Sequence, residues 1–192
     1  MLEILITVGI LALVINVIAI FSVDVFKTSG SIQSSLTAQQ DARNVLRQLT
    51  SELRTASPSS VGAYPIAEAG DNRIRFYSDI DNDGLKEEVI YYLSGDGKTI
   101  YKDVRKPSGG PLSYTGGFNT STIIRDVANG ATPLFQYYDR NYDGTTAPLS
   151  PVNIPDVRLV KATIVIERDP NRSPVPITVT TQIVLRNLKD NL

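Results

Sequence analysis

Cysteine and histidine are both missing from this chain of 192 residues. The first absence excludes a disulfide framework and a thiolate zinc site. The second removes the commonest general base, the usual transition-metal ligand and the Ser-His-Asp triad together. Catalysis by carboxylates or by a lysine stays open, but the pattern places no pair of acids across a cleft. The expectation is therefore a protein that is not an enzyme. An excess of either charge is lacking too: 19 Lys and Arg face 20 Asp and Glu, for a formal net charge of −1. No global field points to nucleic acid or to an acidic membrane. The length has room for one domain, or for one domain plus an extra element.

What the chain does have is one long apolar run. From Ile4 to Val23 only Thr7, Gly9, Asn16 and Ser22 interrupt the aliphatic residues, and none of them is charged. Twenty residues at a helical rise of ~1.5 Å span about 30 Å, the thickness of a bilayer's hydrocarbon core. The Leu, Ile, Val and Phe side chains contribute on the order of −4 to −8 kcal/mol toward insertion, more than Asn16 takes away. A cleavable secretory signal would want a basic start, a shorter apolar core and a small-x-small cleavage site. Here the leading residue is acidic, Glu3, and no Ala-x-Ala follows. Residues 1–26 are read as a transmembrane helix. The only cation near it is Lys27, on the distal side, and alone it would place the rest of the chain in the cytoplasm.

Beyond the span, "ARNVLRQLTSELRTA" sets Ala42, Val45, Leu46, Leu49 and Leu53 at steps of three and four, one apolar stripe on a helix. Gln40, Arg43, Arg47, Glu52 and Arg54 are assigned to the polar side. Pro58 disfavours helical geometry before it, so the helix should end near Ser57. Residues 27–57 thus continue the helix amphipathically, with Gly30 as a weak point. Val45, Leu46, Leu49 and Leu53 are the residues expected to pack under a sheet.

Residues 58–192 change to a period of two. Strands are predicted at 73–78, 87–93, 99–104, 121–127, 133–139, 157–168 and 175–187. "SGDGK" supplies the Asp-Gly turn of a hairpin between the second and third. The last two form an antiparallel pair that should begin only after Pro176, because Pro170, Pro174 and Pro176 crowd the connection. The fold class is α+β: a long N-terminal helix packed on an antiparallel β-sheet head. Tyrosines in "QYYDRNY" and "VIYYL" have only Arg140 interleaved among them. They suit a packed sheet better than single-stranded nucleic acid, and no nucleic-acid partner is expected.

An apolar helix with a glutamate near its start, running on as an amphipathic helix into a β-rich head, resembles the type IV pilin superfamily. "LEILITVGILALV" at 2–14 is similar to the prepilin-type N-terminal methylation segment. "ARNVLRQLTSELRTA", "EEVIYYL" and "TQIVLRN" look like minor pilins and pseudopilins of the J and W types. The resemblance implies a pilin-like fold and a single-pass protein of the bacterial cytoplasmic membrane with its head outside. Its partners would be other pilin or pseudopilin subunits, met through the N-terminal helix, in a type IV pilus-like or type II secretion-like filament. A prepilin peptidase would remove a basic leader and methylate the new N-terminus. Met1 stands nearer to Glu3 than a processed end would, so on the resemblance either translation starts further upstream or the chain is truncated. An in-frame basic leader ending in Gly-Phe upstream of Met1 would decide for the former. No proline interrupts the helix near Ile20, and no cysteine pair is present for a C-terminal disulfide loop. Both features imply a minor rather than a bulk subunit. Glu3 would then pair with the terminal amine of a neighbouring subunit and set the axial register. Its bland alternative is a carboxylate that complements the positive end of the helix dipole.

Two acidic loops complete the candidates. "SDIDNDGLKEE" carries Asp79, Asp81, Asp83 and Gly84, the D-x-D-x-D-G opening of a calcium loop. Ile90 stands where an EF-hand has its glutamate, and Glu87 or Glu88 would have to replace it. "YDRNYDGTTAP" offers a poorer copy in Asp139, Asn141 and Asp143. Both also read as ordinary polar turns. Calcium is thus an allowed ligand, and no cofactor is required. A membrane-anchored monomeric binding module, calcium-dependent or not, is the alternative to a filament subunit.

Overall fold

The computed structural model describes residues 2–168 and 176–188. Pro170 and Pro174 of the crowded connection lie outside the described residues.

One helix, α1, runs from Leu2 to Arg54 without a break. At ~1.5 Å per residue this is a rod of about 80 Å. Gly30 does not interrupt it: the helical residues on either side hold the backbone, and Gly costs only about 1 kcal/mol against Ala in a helix interior. The end comes at Arg54, three residues before the expected Ser57. There the sheet takes over the backbone, the Ser57 amide donating to the Tyr77 carbonyl at 3.0 Å.

The strands that follow are β1 (Ile66–Gly70), β2 (Arg73–Ser78), β3 (Glu87–Leu93), β4 (Ile100–Arg105), β5 (Asn119–Ile124), β6 (Phe135–Tyr138), β7 (Leu159–Ile166) and β8 (Ile177–Val184). They make two antiparallel sheets rather than one: a five-stranded meander in the order β1-β2-β3-β4-β5 and a three-stranded sheet in the order β6-β7-β8. β7 and β8 form the long pair foreseen, and β8 starts at Ile177, immediately after Pro176. "IAEAG" of β1 was not foreseen as a strand. Alanine, glycine and glutamate are poor strand formers, and β1 forms because β2 offers its edge. Side-chain alternation says which residues are strand, not which strands are neighbours, so the split into two sheets lies beyond it.

Both sheets share one core. Ala38, Ala42, Val45, Leu46, Leu49 and Leu53 of α1 are buried together with Phe76 and Tyr91 of the meander and with Ile164 and Ile183 of the smaller sheet. Tyr137 ties the sheets by donating to the Gly70 carbonyl at 2.9 Å. The buried Asn129 side chain donates to the Thr163 carbonyl at 2.9 Å and accepts from the Val165 amide at 2.8 Å. Leu53 is fully buried where helix and sheets meet. Leu53→Ala should therefore cost about 2–5 kcal/mol, seen as a lower midpoint in denaturant unfolding of the full chain in micelles.

Candidate functional site

The helix has two surfaces, and they differ in what covers them. From Ala38 onward its stripe lies under the sheets, whereas Leu2, Ile4, Ile6, Ile10, Leu11 and the apolar residues after them are exposed. None of the most apolar 18-residue window is buried within the chain. This helix is long and apolar enough to cross a membrane. Inside the span the Thr7 and Ser22 hydroxyls donate to the carbonyls of Glu3 and Ile18, one turn back. Their polar groups are thus met without water, as a hydrocarbon environment demands. Glu3 sits in the first turn and is exposed, with no partner for its carboxylate among the described residues.

Exposed apolar surface continues past the length a bilayer covers. Val25, Phe26, Ile32 and Leu36 are about half exposed or more, Phe26 at 77%. They stand on helical turns that emerge beyond a span of ~20 residues starting at Ile4.

Where the helix meets the head, the polar side holds a surprise. Glu52, assigned by its spacing to the solvent face, turns to the sheet. Its carboxylate accepts from the Lys102 ammonium at 2.5 Å and from the Tyr91 hydroxyl at 2.8 Å. Lys102 and Tyr91 are neighbours on adjacent strands. Burial, with the Glu52 charge beside it, pushes the Tyr91 hydroxyl far above its ordinary pKa, so it remains a donor. No feature of the sequence pairs Glu52 with Tyr91 and Lys102, which lie 39 and 50 positions after it.

The first acidic loop joins β2 to β3. Oxygens of Asp79, Asp81 and Glu87 lie within 4.8 Å of one another. Asp79 accepts from the Asp83 and Gly84 amides, both at 3.1 Å, and Gly84 takes the positive φ of 90° that closes the turn. Strand alternation chooses between the two glutamates. Glu87, first residue of β3, turns into the loop, while Glu88 faces the other way and pairs with Arg75 and Arg105. Asp83 stands beside the converging trio; its oxygens accept from the Leu85 amide at 2.9 Å and the Lys106 ammonium at 2.7 Å.

Two cations missed by the sequence reading meet these acids. Lys106 also pairs with Asp81, and Lys86 reaches Asp79 at 3.2 Å. Lys106 follows β4 and is distant in sequence, so only the β3–β4 pairing brings it there. Glu87 is fully buried. One oxygen accepts from the Ile80 amide at 2.9 Å; the other, Oε1, has no hydrogen-bond partner and sees Lys106 only at 3.9 Å. Burial raises the Glu87 carboxyl above its ordinary range, against the pull of the Ile80 amide.

The second loop is built differently. One oxygen of Asp143 accepts from the amides and hydroxyls of Thr145 and Thr146. Asp139 accepts from the amide and side chain of Asn141. The bonds from Thr146 and Thr145 hold Asp143 well below the usual carboxylate range. The loop is thus two local turns, Asp139 serving Asn141 and Asp143 serving Thr145 and Thr146. The tyrosines are likewise used in packing: Tyr91 and Tyr137 are buried, and Tyr92 stacks on Tyr101 with ring centroids 5.6 Å apart.

No protein-family model matches this chain, and no curated protein matches it.

Proposed function

We propose that this chain is a non-enzymatic subunit of a pilin-like filament, a minor pilin or pseudopilin held in the bacterial cytoplasmic membrane with its head outside. One observation carries the reading. The helix exposes apolar side chains from Leu2 to Phe26 and again at Ile32 and Leu36 among polar residues, a reach of about 50 Å at a rise of ~1.5 Å per residue, against about 30 Å of hydrocarbon. An anchor alone needs no apolar surface past the bilayer. Packing of the same helix from neighbouring subunits in an assembled filament covers that surplus. The head, clamped to the C-terminal part of the helix, is left free to face outward from the bundle.

In such a bundle Glu3 has a use. A carboxylate in hydrocarbon costs ~2.5–3.5 kcal/mol at mid-membrane and less near an end, so an apolar helix keeps one for a purpose. Pairing with the terminal amine of a neighbouring subunit neutralises it and fixes the axial step. The processing that would expose this amine belongs to a prepilin peptidase.

Glu3→Ala should leave membrane insertion unchanged and reduce incorporation into the filament fraction to background, measured by immunoblot of membrane and sheared-filament fractions. If Glu3 only complements the helix dipole, the loss is about 0.3–1 kcal/mol of helix stability and incorporation is normal. Normal incorporation would remove Glu3 from the interface.

A further inference from the structure

The loop between β2 and β3 gathers more negative charge than its neighbours cancel. Asp79, Asp81, Asp83 and Glu87 face two ammonium groups, Lys86 and Lys106. Full pairing leaves two negative charges, and three once Lys106 swings away, so a divalent cation meets charge that the lysines do not cancel. The geometry agrees with the count. Calcium holds its oxygens at ~2.3–2.6 Å, so two ligands of one ion can lie no more than about 5 Å apart. Oxygens of Asp79, Asp81 and Glu87 meet this limit, all lying within 4.8 Å of one another.

A second observation is independent of the acidic cluster. Glu87 is fully buried, and its Oε1 is aimed into the group with no hydrogen-bond partner. Leaving a buried carboxylate oxygen unmet is costly, and the nearest cation does not meet it. Lys106 holds Asp83 at 2.7 Å and pairs with Asp81, but stays 3.9 Å from Glu87 Oε1. An ammonium has three donors in a fixed tetrahedral spread; a hard cation takes six to eight oxygens around its whole surface. The Lys106 side chain is half exposed, on the segment just past β4, and is free to swing to water.

We propose that Asp79, Asp81 and Glu87, joined by Asp83, bind one calcium ion in place of the Lys106 ammonium. Water and loop carbonyls complete the shell. The cation and the lysine then compete for one position, so removing the lysine's charge tightens binding. A calcium bound here pins the start of β3 to the loop before it and stiffens the edge of the head nearest β4. The site does not depend on the filament reading, since it belongs to the head alone.

Calorimetric titration of the EDTA-stripped full chain in detergent micelles with calcium chloride tests it. The wild type should bind one calcium per chain with a Kd on the order of 10⁻⁴–10⁻³ M, the range of extracellular modules. Lys106→Gln should lower that Kd about tenfold, and Asp81→Asn should raise it about tenfold or more. Both positions are substantially exposed, so neither variant threatens folding. Glu87→Gln should abolish binding, with circular dichroism confirming that it folds. Magnesium, which demands a tighter octahedral shell, should bind more weakly. Absence of calcium binding in both wild type and Lys106→Gln overturns the site. So does a Kd unmoved by Lys106→Gln and Asp81→Asn, or equal binding of magnesium.

Discussion

Lys102→Met is expected to destabilise the head by about 3–5 kcal/mol, the loss typical when one partner of a buried ion pair is removed. Lys102 and Glu52 are 7% and 12% exposed at the side chain, and their 2.5 Å contact is reinforced by the Tyr91 hydroxyl. The mutation leaves the Glu52 carboxylate in a nearly dry position with two neutral donors, the Tyr91 hydroxyl and the Gln48 side-chain amide. Those donors cannot compensate, because neutral hydrogen bonds do not balance a whole charge taken out of water. Replacing both partners tells pairing from packing. Lys102→Met with Glu52→Leu should cost far less than the sum of the single variants, since a well-packed apolar pair often matches a buried ion pair. With nine tyrosines and no tryptophan in the chain, near-ultraviolet circular dichroism of the tyrosines follows the denaturant midpoint. Additive losses in the double variant would show that the three residues do not act as a unit.

The clamp matters for function because it fixes how the head rides on the rod. Glu52 stands within three residues of the helix end at Arg54, and its partners lie on β3 and β4, the middle of the meander. Loosening it would let the head tilt without altering the apolar part of the helix.

How much of this was written legibly in the residues varies with the kind of contact. The long apolar run and the stripe at Ala42, Val45, Leu46, Leu49 and Leu53 follow from local spacing, which is why the helix and its buried side could be read directly. Seven of the eight strands carry alternating or β-branched runs; "IAEAG" carries neither and is a strand only by pairing with β2. The polar contacts were the hardest to read. Glu52 lies at the border of the stripe, where one helical step separates solvent from sheet, and its partners come from strands about 40 and 50 residues away. In the acidic loop the D-x-D-x-D-G spacing identified the carboxylates, and alternation along β3 decided for Glu87 over Glu88. Lys106 entered through the β3–β4 register alone. Local pattern finds elements and turn residues; long-range partners come from topology.

The second large effect concerns the helix as a surface. Among the described residues, the large apolar side chains from Leu2 to Phe26 are exposed around the helix. For a simple anchor any apolar helix of about 20 residues would serve. For a filament core the sequence of knobs along the helix must match the holes of its neighbours, and Glu3 must stand at the correct height. An unrelated span has the same affinity for lipid and neither of these features.

Exchange of residues 1–26 for an unrelated single-span helix of equal length therefore tests the central claim most directly, read as the share of the chain in membrane and in filament fractions. The filament account requires normal membrane insertion, a folded head and complete loss from filaments. Incorporation at the wild-type level by the exchanged chain would contradict it and leave a head that is merely anchored.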